Sequence, residues 1–174
     1  MTARWIRRNP RWTWLAAVAA LLFVDQISKS YFATNLELGE SIWVTKWLNF
    51  VHVLNTGASF YLLADAGGWQ RWFLVGVAVL VVGVVSIVCL VRQAEPLDRW
   101  LGAFVVGGGG GNLVDRVQTG AVVDFLDFYW GSIHWPAFNF GDVFIVCSIL
   151  VWSFRSLKSP PRQATPKTPR ELTS

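Results

Sequence analysis

The chain has 174 residues, of which 53% are hydrophobic and 15% are charged, and its formal net charge is +4. This apolar content exceeds what an ordinary soluble domain of this length buries, so the composition excludes that class and indicates an integral membrane protein. The 11 Trp residues agree, because Trp collects at membrane–water interfaces. Membrane topology therefore accounts for the positive charge, and no nucleic-acid partner is predicted.

The first predicted element is a membrane span over about residues 12–32. Four arginines precede its apolar run, which is also how a secretory signal peptide begins. No small-residue cleavage pattern follows, so a retained helix is the preferred interpretation. Asp25 and Lys29 lie four residues apart in this helix and share one face, where they can pair. Ionisable residues in a span are functional or structural by default, and the structural alternative is mutual neutralisation.

Residues 33–68 do not have the composition of a span. Leu38–Thr45 and Lys46–Leu54 are rich in β-branched and aromatic residues and predict two or three short strands. Asn55–Ala58 has the Asn and Gly typical of a turn, and residues 59–64 are compatible with a short helical turn. The whole segment predicts a small platform outside the membrane.

The second predicted span covers residues 72–91, which include no charge and form scaffold in this interpretation. A short loop leads to an antiparallel third span over about 100–117, which contains Gly107–Gly111. Five glycines cost a helix in water roughly 1 kcal/mol each, but unfolding in a bilayer leaves backbone groups without partners. A membrane helix with a close-packed face is therefore predicted. A phosphate-binding loop is disfavoured, because no Lys-Ser/Thr pair follows the glycines.

Residues 120–137 are predicted to form a loop that carries Asp124. A shorter fourth span is predicted over 138–154, with Asn139 and Asp142 in its first turns. Asp124 and Asp142 therefore flank an aromatic segment, and Asp142 lies where the chain enters an apolar run.

Residues 155–174 are basic and rich in Pro, which predicts a disordered tail. The remainder, residues 1–154, is predicted to be a single membrane-embedded domain. Cys89 and Cys147 both lie in apolar runs and are interpreted as small hydrophobic residues, since their spacing supports neither a disulfide nor a metal pair.

Lys and Arg are concentrated ahead of span one, between spans two and three, and in the tail. The positive-inside rule then predicts that both termini are cytoplasmic. With this orientation, polar residues cluster at the outer ends of the spans and in the outer segments: Asp25, Lys29, Asn55, Asn112, Asp115, Arg116, Asp124 and Asp142. Independent solvation of each residue would not predict this clustering, so a shared site near the outer leaflet is predicted.

Two carboxylates that face each other cannot both ionise easily, so one retains a proton. Such a pair can act as general base and general acid toward a water molecule, which suits hydrolysis of an amide or ester without a covalent nucleophile. Asparagine side chains in the cluster could bind a substrate backbone, and Arg116 could meet an anionic group.

A zinc hydrolase is disfavoured because His52 and His134 are the only histidines and neither lies in an H-E-x-x-H arrangement. No metal and no other cofactor is predicted. Composition leaves a Ser–His–Asp site open, although no nucleophile-elbow pattern occurs.

Five motifs occur in order along the chain: Asp25-Gln26 with Lys29, Asn55-x-Gly57-Ala58, Gly107-Gly108-x-x-Gly111-Asn112-Leu113-x-Asp115-Arg116, Val122-Val123-Asp124-Phe125, and Trp135-Pro136-Ala137-Phe138-Asn139-x-x-Asp142. Together they resemble the lipoprotein signal peptidases, the bacterial type II signal peptidases, over most of residues 12–154. Two departures stand out. Gly141 and Ser59 replace residues that are usually Ala in the family, and glycine fills every place of the run at 107–111.

The resemblance implies an all-α polytopic membrane protein of the bacterial inner membrane, with four transmembrane helices, a small extracytoplasmic β-cradle and an active site facing the periplasm. It implies an aspartic peptidase that removes the signal peptide of prolipoproteins just before a diacylglyceryl-modified Cys. By motif, Asp124 and Asp142 would be catalytic. Asn55, Asn112, Arg116 and Asn139 would line the substrate site, and Asp25, Lys29 and Asp115 would support it. The implied partners are lipidated prolipoproteins and membrane lipids, and a monomer is expected.

The main alternative is a non-enzymatic transporter subunit or lipid-binding scaffold whose outer polar cluster binds an ion or a headgroup. The ordered motifs favour the peptidase, because a generic scaffold has no need of them. A catalytically inactive family member is a third possibility, suggested by the glycine replacements.

Overall fold

The computed structural model describes residues 10–57, 67–91 and 95–158. In chain order its helices are α1 (Pro10–Asn35), α2 (Trp69–Val91), α3 (Pro96–Gln118) and α4 (Phe140–Lys158). Its strands are β1 (Ser41–Thr45), β2 (Leu48–Asn55), β3 (Val122–Trp130) and β4 (Ile133–His134). The arginines ahead of residue 10, the helical turn predicted at 59–64 and the tail after residue 158 lie outside the described residues.

Helix α3 is central and packs against each of the other three helices. It remains helical through Gly107–Gly111, as the sequence predicted. A Cβ atom at Gly107 would lie 2.6 Å from Cβ of Leu21 in α1, and one at Gly108 would collide with the carbonyl oxygen of Gly141 in α4. The absent side chains therefore let α1 and α4 approach the backbone of α3.

Three helices in the described ranges, α1, α2 and α4, are long and apolar enough to cross a membrane. Helix α2 buries only Gln70 and Cys89 and leaves large apolar side chains such as Leu80 exposed, as expected for a helix that faces lipid. Helix α3 falls short of the same criterion because its sequence includes many glycines and several charged residues. Its role as a fourth span stays a prediction.

The strands form one antiparallel sheet in the order β1-β2-β3-β4. Strands β1 and β2 confirm those predicted within residues 33–68. The predicted loop over 120–137 was wrong, because β3 pairs with β2 and Asp124 lies opposite Val53. Asp is generally unfavourable in strands, so two carboxylates within β3 hid its strand character. Hydrogen bonds from neighbouring side chains compensate for them in the folded chain.

Aromatic contacts attach the sheet to the helices. Phe125 is fully buried, stacks on Phe32 of α1 with ring centroids 4.5 Å apart, and meets Phe140 of α4 edge-on at 5.2 Å. Since Phe125 follows Asp124 in β3, these contacts hold Asp124 at the end of the helix bundle.

The far end of the bundle corrects the predicted start of the disordered tail. Helix α4 continues past residue 154 to Lys158, and Arg155 pairs there with Asp98 of α3. Nε1 of Trp152 also donates a hydrogen bond to Asp98, at 3.1 Å. These bonds extend the last helix beyond the apolar run that the sequence marked.

Candidate active site

Asp124 and Asp142 line one cavity, of about 510 Å³, between the sheet and the helices. Asp124 belongs to β3 and is 1% exposed, while Asp142 lies in the first turn of α4. The cavity walls are mostly apolar and include Leu74, Val77 and Val81 from α2, Val105 from α3, and Val143 and Val146 from α4. The two predicted carboxylates therefore stand at the polar end of an otherwise apolar cavity.

Asn139 bridges the two carboxylates. Its Nδ2 donates to Oδ1 of Asp124 at 2.7 Å, and its Oδ1 accepts from the backbone N–H of Asp142 at 3.0 Å. Its own backbone N–H donates to Oδ2 of Asp142 at 3.2 Å. The last two bonds form a reciprocal cap at the start of α4, so the N-x-x-D motif both begins the helix and aims Asp142.

Two further asparagines complete the hydrogen bonding of the pair. Asn55 Nδ2 donates to Oδ2 of Asp124 at 3.1 Å, and its Oδ1 accepts from the N–H of Gly57 at 3.0 Å. Asn112 Nδ2 donates to Oδ1 of Asp142 at 2.8 Å. Each of the four carboxylate oxygens thus accepts a hydrogen bond from a neutral amide, and the orientation of both groups is fixed.

Lys29 lies at the centre of a polar cluster with Asp25, Asp115 and Asn112, here called the Lys29 cluster. Its Nζ lies 2.7 Å from Asp25 Oδ2, 3.0 Å from Asp115 Oδ2 and 2.7 Å from Asn112 Oδ1. Because Lys29 can only donate, it holds the oxygen of the Asn112 amide and turns the NH2 group toward Asp142. Lys29, with its partners Asp25 and Asp115, is therefore linked through Asn112 to the catalytic dyad, which is the pair Asp124 and Asp142.

Gln26 and Gly141 belong to this arrangement, although the sequence assigned neither of them a role. Gln26 Nε2 donates to Asp115 Oδ1 at 2.8 Å, and the N–H of Gly141 donates to Asp25 Oδ1 at 2.7 Å. The signal for Gln26 was its position inside a span beside Asp25. At Gly141 a Cβ atom would lie 2.8 Å from the carbonyl oxygen of Gly108, so this glycine relieves a tight contact between α3 and α4.

Arg116 lines the cavity and holds the turn that follows β2. Its NH2 donates to the carbonyl oxygen of Gly57 at 2.8 Å, and its NH1 donates to that of Asn112 at 3.3 Å. Arg71, which the sequence did not single out, caps the end of α3 by donating to the carbonyl oxygens of Arg116 at 2.9 Å and Val117 at 2.7 Å. Only the packing of α2 on α3 places Arg71 there.

Burial raises the pKa of Asp124 to about 7, and the negative charge of Asp142 acts in the same direction. Hydrogen bonds from Asn55 and Asn139 oppose this shift of the pKa. A carboxyl group that exchanges its proton near neutral pH, beside a second carboxylate in one cavity, is the arrangement that general acid–base catalysis requires.

The two histidines, His52 and His134, hydrogen-bond to groups other than Asp124 and Asp142 within the described ranges. Nδ1 of His52 lies 2.9 Å from the carbonyl oxygen of Leu36, and Nδ1 of His134 lies 2.9 Å from both carboxylate oxygens of Asp127. Over the same ranges, no three His, Cys, Asp or Glu side chains form a group that could hold a metal ion.

Comparison with known proteins identifies the family of the chain. The family model described as signal peptidase (SPase) II matches residues 17–158. A lipoprotein signal peptidase of Aeromonas hydrophila subsp. hydrophila is 44% identical over 155 residues, which cover 85% of this chain and 90% of the relative. One from Shewanella halifaxensis is 48% identical over 147 residues, covering 82% and 83%.

The fold is also that of a solved structure, a bacterial membrane enzyme determined by the in meso method at 2.3 Å resolution. The TM-score is 0.77 at 23% identity, and the match covers 91% of this chain and 95% of that one. The family model spans most of the chain, and both relatives exceed 40% identity over more than four fifths of it. The chain therefore belongs to the signal peptidase II family of aspartic proteases.

Proposed function

We propose that the protein removes the signal peptide from lipid-modified prolipoproteins, in keeping with the name of its relatives. The observation that carries the proposal is the pair Asp124 and Asp142, joined through Asn139 at the polar end of an apolar cavity. An apolar signal peptide and the acyl chains of a lipidated Cys suit such walls. The transporter and scaffold alternatives lose their support, because the chain belongs to a protease family.

Catalysis in this proposal uses one water molecule held between the two carboxyl groups. The water oxygen attacks the scissile carbonyl carbon while the ionised carboxylate takes a proton from the water. The protonated carboxyl gives its proton to the carbonyl oxygen. The resulting diol collapses, the C–N bond breaks, and the leaving amine receives a proton from the dyad. The products are the carboxyl end of the signal peptide and a free amino group on the lipidated Cys.

Asp124 is the better candidate for the protonated partner. Burial and the negative charge of Asp142 raise its pKa to about 7, against the hydrogen bonds of Asn55 and Asn139. Asp142 lies at a helix N-terminus, where a negative charge is favourable, and it accepts the backbone N–H of Asn139. We therefore infer that Asp142 is the general base toward the water and that Asp124 is the general acid.

Substrate binding is assigned to three polar residues that line the cavity beside the catalytic pair: Asn55, Asn112 and Arg116. Asn139, which the sequence grouped with them, is fully buried and its amide bonds Asp124 and the N–H of Asp142, so it is assigned to positioning the pair. Arg116 lines the cavity beside them and brings a guanidinium group that can meet a carbonyl or an ester oxygen of the substrate. Asp25, Lys29 and Asp115 are assigned a supporting role, because Lys29 orients the side-chain amide of Asn112.

The proposed topology has four spans in one domain, extended from the predicted residues 1–154 to the end of α4 at Lys158, in the inner membrane with both termini in the cytoplasm. The sheet then forms a periplasmic cradle over the active site, and the ion pair of Asp98 with Arg155 marks the cytoplasmic end. The distribution of Lys and Arg along the sequence supports this orientation. The expected partners are the prolipoprotein substrate and surrounding lipids, with the protein acting as a monomer.

The decisive experiment incubates purified protein with a prolipoprotein whose Cys carries a diacylglyceryl group. A mass shift equal to the signal peptide is expected, with cleavage immediately before the lipidated Cys. A matched substrate with an unmodified Cys should be cut far more slowly. Equal cleavage of both substrates, or cleavage elsewhere, would contradict the proposed substrate class, and no cleavage of either would contradict the proposed function.

A further inference from the structure

Asp127 is a buried acid that the proposed chemistry does not use. It lies on β3, is 8% exposed, and accepts a hydrogen bond from Nδ2 of Asn49 on β2 at 2.9 Å. Nδ1 of His134 on β4 lies 2.9 Å from both of its carboxylate oxygens, and a carboxylate can only accept, so Nδ1 carries the proton. These three residues, here called the clasp, join three neighbouring strands.

The clasp lies behind one wall of the active-site cavity. Trp135–Ala137, here called the wall segment, directly follows His134 and lines the cavity that contains Asp124 and Asp142. The same three residues line an open depression of the surface, of about 380 Å³, whose other walls include Asp127 and His134. The wall segment is therefore a single layer of chain between the active-site cavity and a surface depression that the clasp borders.

Backbone hydrogen bonds hold the wall segment to β3 near its two ends. The N–H of Trp135 donates to the carbonyl oxygen of Phe128 at 2.7 Å, and that of Phe138 donates to Leu126 at 3.0 Å. Between these bonds, Pro136 has no N–H to donate. A chain segment with open volume behind it can shift into that volume unless neighbouring residues fix its direction.

His134 sets the direction in which the chain leaves β4. Its ring stacks on Tyr129 with centroids 5.3 Å apart, and its Nδ1 is bound to the buried carboxylate of Asp127. A hydrogen bond to an ionised acceptor is stronger than one between neutral groups, and burial of the acceptor strengthens it further.

We propose that the clasp positions the wall segment and thereby sets the affinity for the part of the substrate that enters the active-site cavity. Asp127 and His134 are positioning residues, because Asp127 holds His134 and His134 directly precedes the wall segment. The inference rests on the proposed function, since it takes this cavity as the substrate site.

The kinetic test compares Asp127→Ala with the unsubstituted enzyme, using a lipidated prolipoprotein as substrate. We expect KM to rise about tenfold while kcat changes less than about threefold, since binding is lost and the dyad is intact. Asp127→Asn keeps an oxygen that accepts from His134, so it should restore part of the affinity. The matched control is Tyr129→Phe, which removes a hydrogen bond from the same strand to the carbonyl oxygen of Thr45 but keeps the ring. An unchanged KM in Asp127→Ala, or an equal rise in the control, would overturn the inference.

A second measurement does not depend on cleavage. Hydrogen–deuterium exchange at the amides of Trp135 and Phe138 should be faster in Asp127→Ala than in the original protein, and unchanged in Tyr129→Phe. If Asp127→Ala does not fold, His134→Ala provides the same test, because that side chain is 52% exposed. Unchanged exchange in a folded clasp variant would refute the inference even if the enzyme cleaves normally. Faster exchange in a protein that cuts no lipidated substrate would instead count against the proposed function alone.

Discussion

The Lys29 cluster and Asp124 of the catalytic pair are both buried, but their carboxyl groups have different partners. Asp25 and Asp115 have Nζ of Lys29 at 2.7 and 3.0 Å, and Lys29 itself is 2% exposed. Asp124 is 1% exposed and accepts its two side-chain hydrogen bonds from neutral amides, within the part of the chain that the structure describes. The two carboxylates of the Lys29 cluster therefore have a cation in contact with them, whereas Asp124 has neutral side-chain donors.

This difference indicates that the Lys29 cluster has a structural role and that the Asp124–Asp142 pair has a catalytic one. The Lys29 cluster is a set of paired charges whose removal should mainly affect folding. The pair of Asp124 and Asp142 contains a carboxyl whose pKa is about 7, and its alteration should mainly affect the reaction.

The largest effect is expected from removing either member of the catalytic pair. Asp124→Asn and Asp142→Asn should each lower the cleavage rate about 10⁴-fold, because the pair loses its general base or its general acid. The amount of protein in the membrane should not change. Asp98→Asn, the same chemical change at the far end of the bundle, should leave cleavage unchanged. Turnover near normal in either dyad variant would contradict the mechanism.

Removal of the central cation should affect stability. Lys29→Met leaves Asp25 and Asp115 buried without their partner and should destabilise the fold by about 3–5 kcal/mol. Thermal unfolding in detergent micelles measures this loss. Lys46→Met, at an exposed lysine between β1 and β2, is the control and should melt like the original protein. Equal melting temperatures for the two variants would show that the cluster does not support the fold.

A smaller effect should distinguish positions within the glycine run. A Cβ atom at Gly108 would collide with the backbone of Gly141, so Gly108→Ala should cost about 1–3 kcal/mol and displace the start of α4. At Gly110 the added atom would lie 3.2 Å from Cδ1 of Leu22, a flexible side-chain end. Gly110→Ala should therefore be neutral or slightly stabilising in the same melting assay. The reverse ranking would contradict the packing of α4 on α3.

The pH dependence should show the proton held by Asp124. Its pKa is raised to about 7, so the acid form is present below that pH and is lost above it. We expect kcat/KM to fall above pH 7, by about tenfold per pH unit once Asp124 is mostly ionised. A rate that stays level to pH 9 would contradict the assignment of Asp124 as the general acid. The same raised pKa makes the fold less stable as pH rises from about 4 to 7, since the folded state then holds more protons than the unfolded state.

The sequence alone determined the membrane class, strands β1 and β2, the helical course of Gly107–Gly111, and five polar residues that line the cavity, namely Asn55, Asn112, Arg116, Asp124 and Asp142. These features follow from composition, periodicity and short ordered motifs, which are local properties of the sequence and can be identified without a structure.

Only the tertiary structure decided which polar groups meet. Strand β3 was missed, because its pairing with β2 outweighs the poor strand preference of Asp. The orientation of Asn112 depends on Lys29, 83 residues away in sequence, and the tight fit of Gly141 depends on Gly108 across a helix interface. Hydrogen-bond partners and close backbone approaches depend on how distant segments pack, and no local pattern encodes that packing.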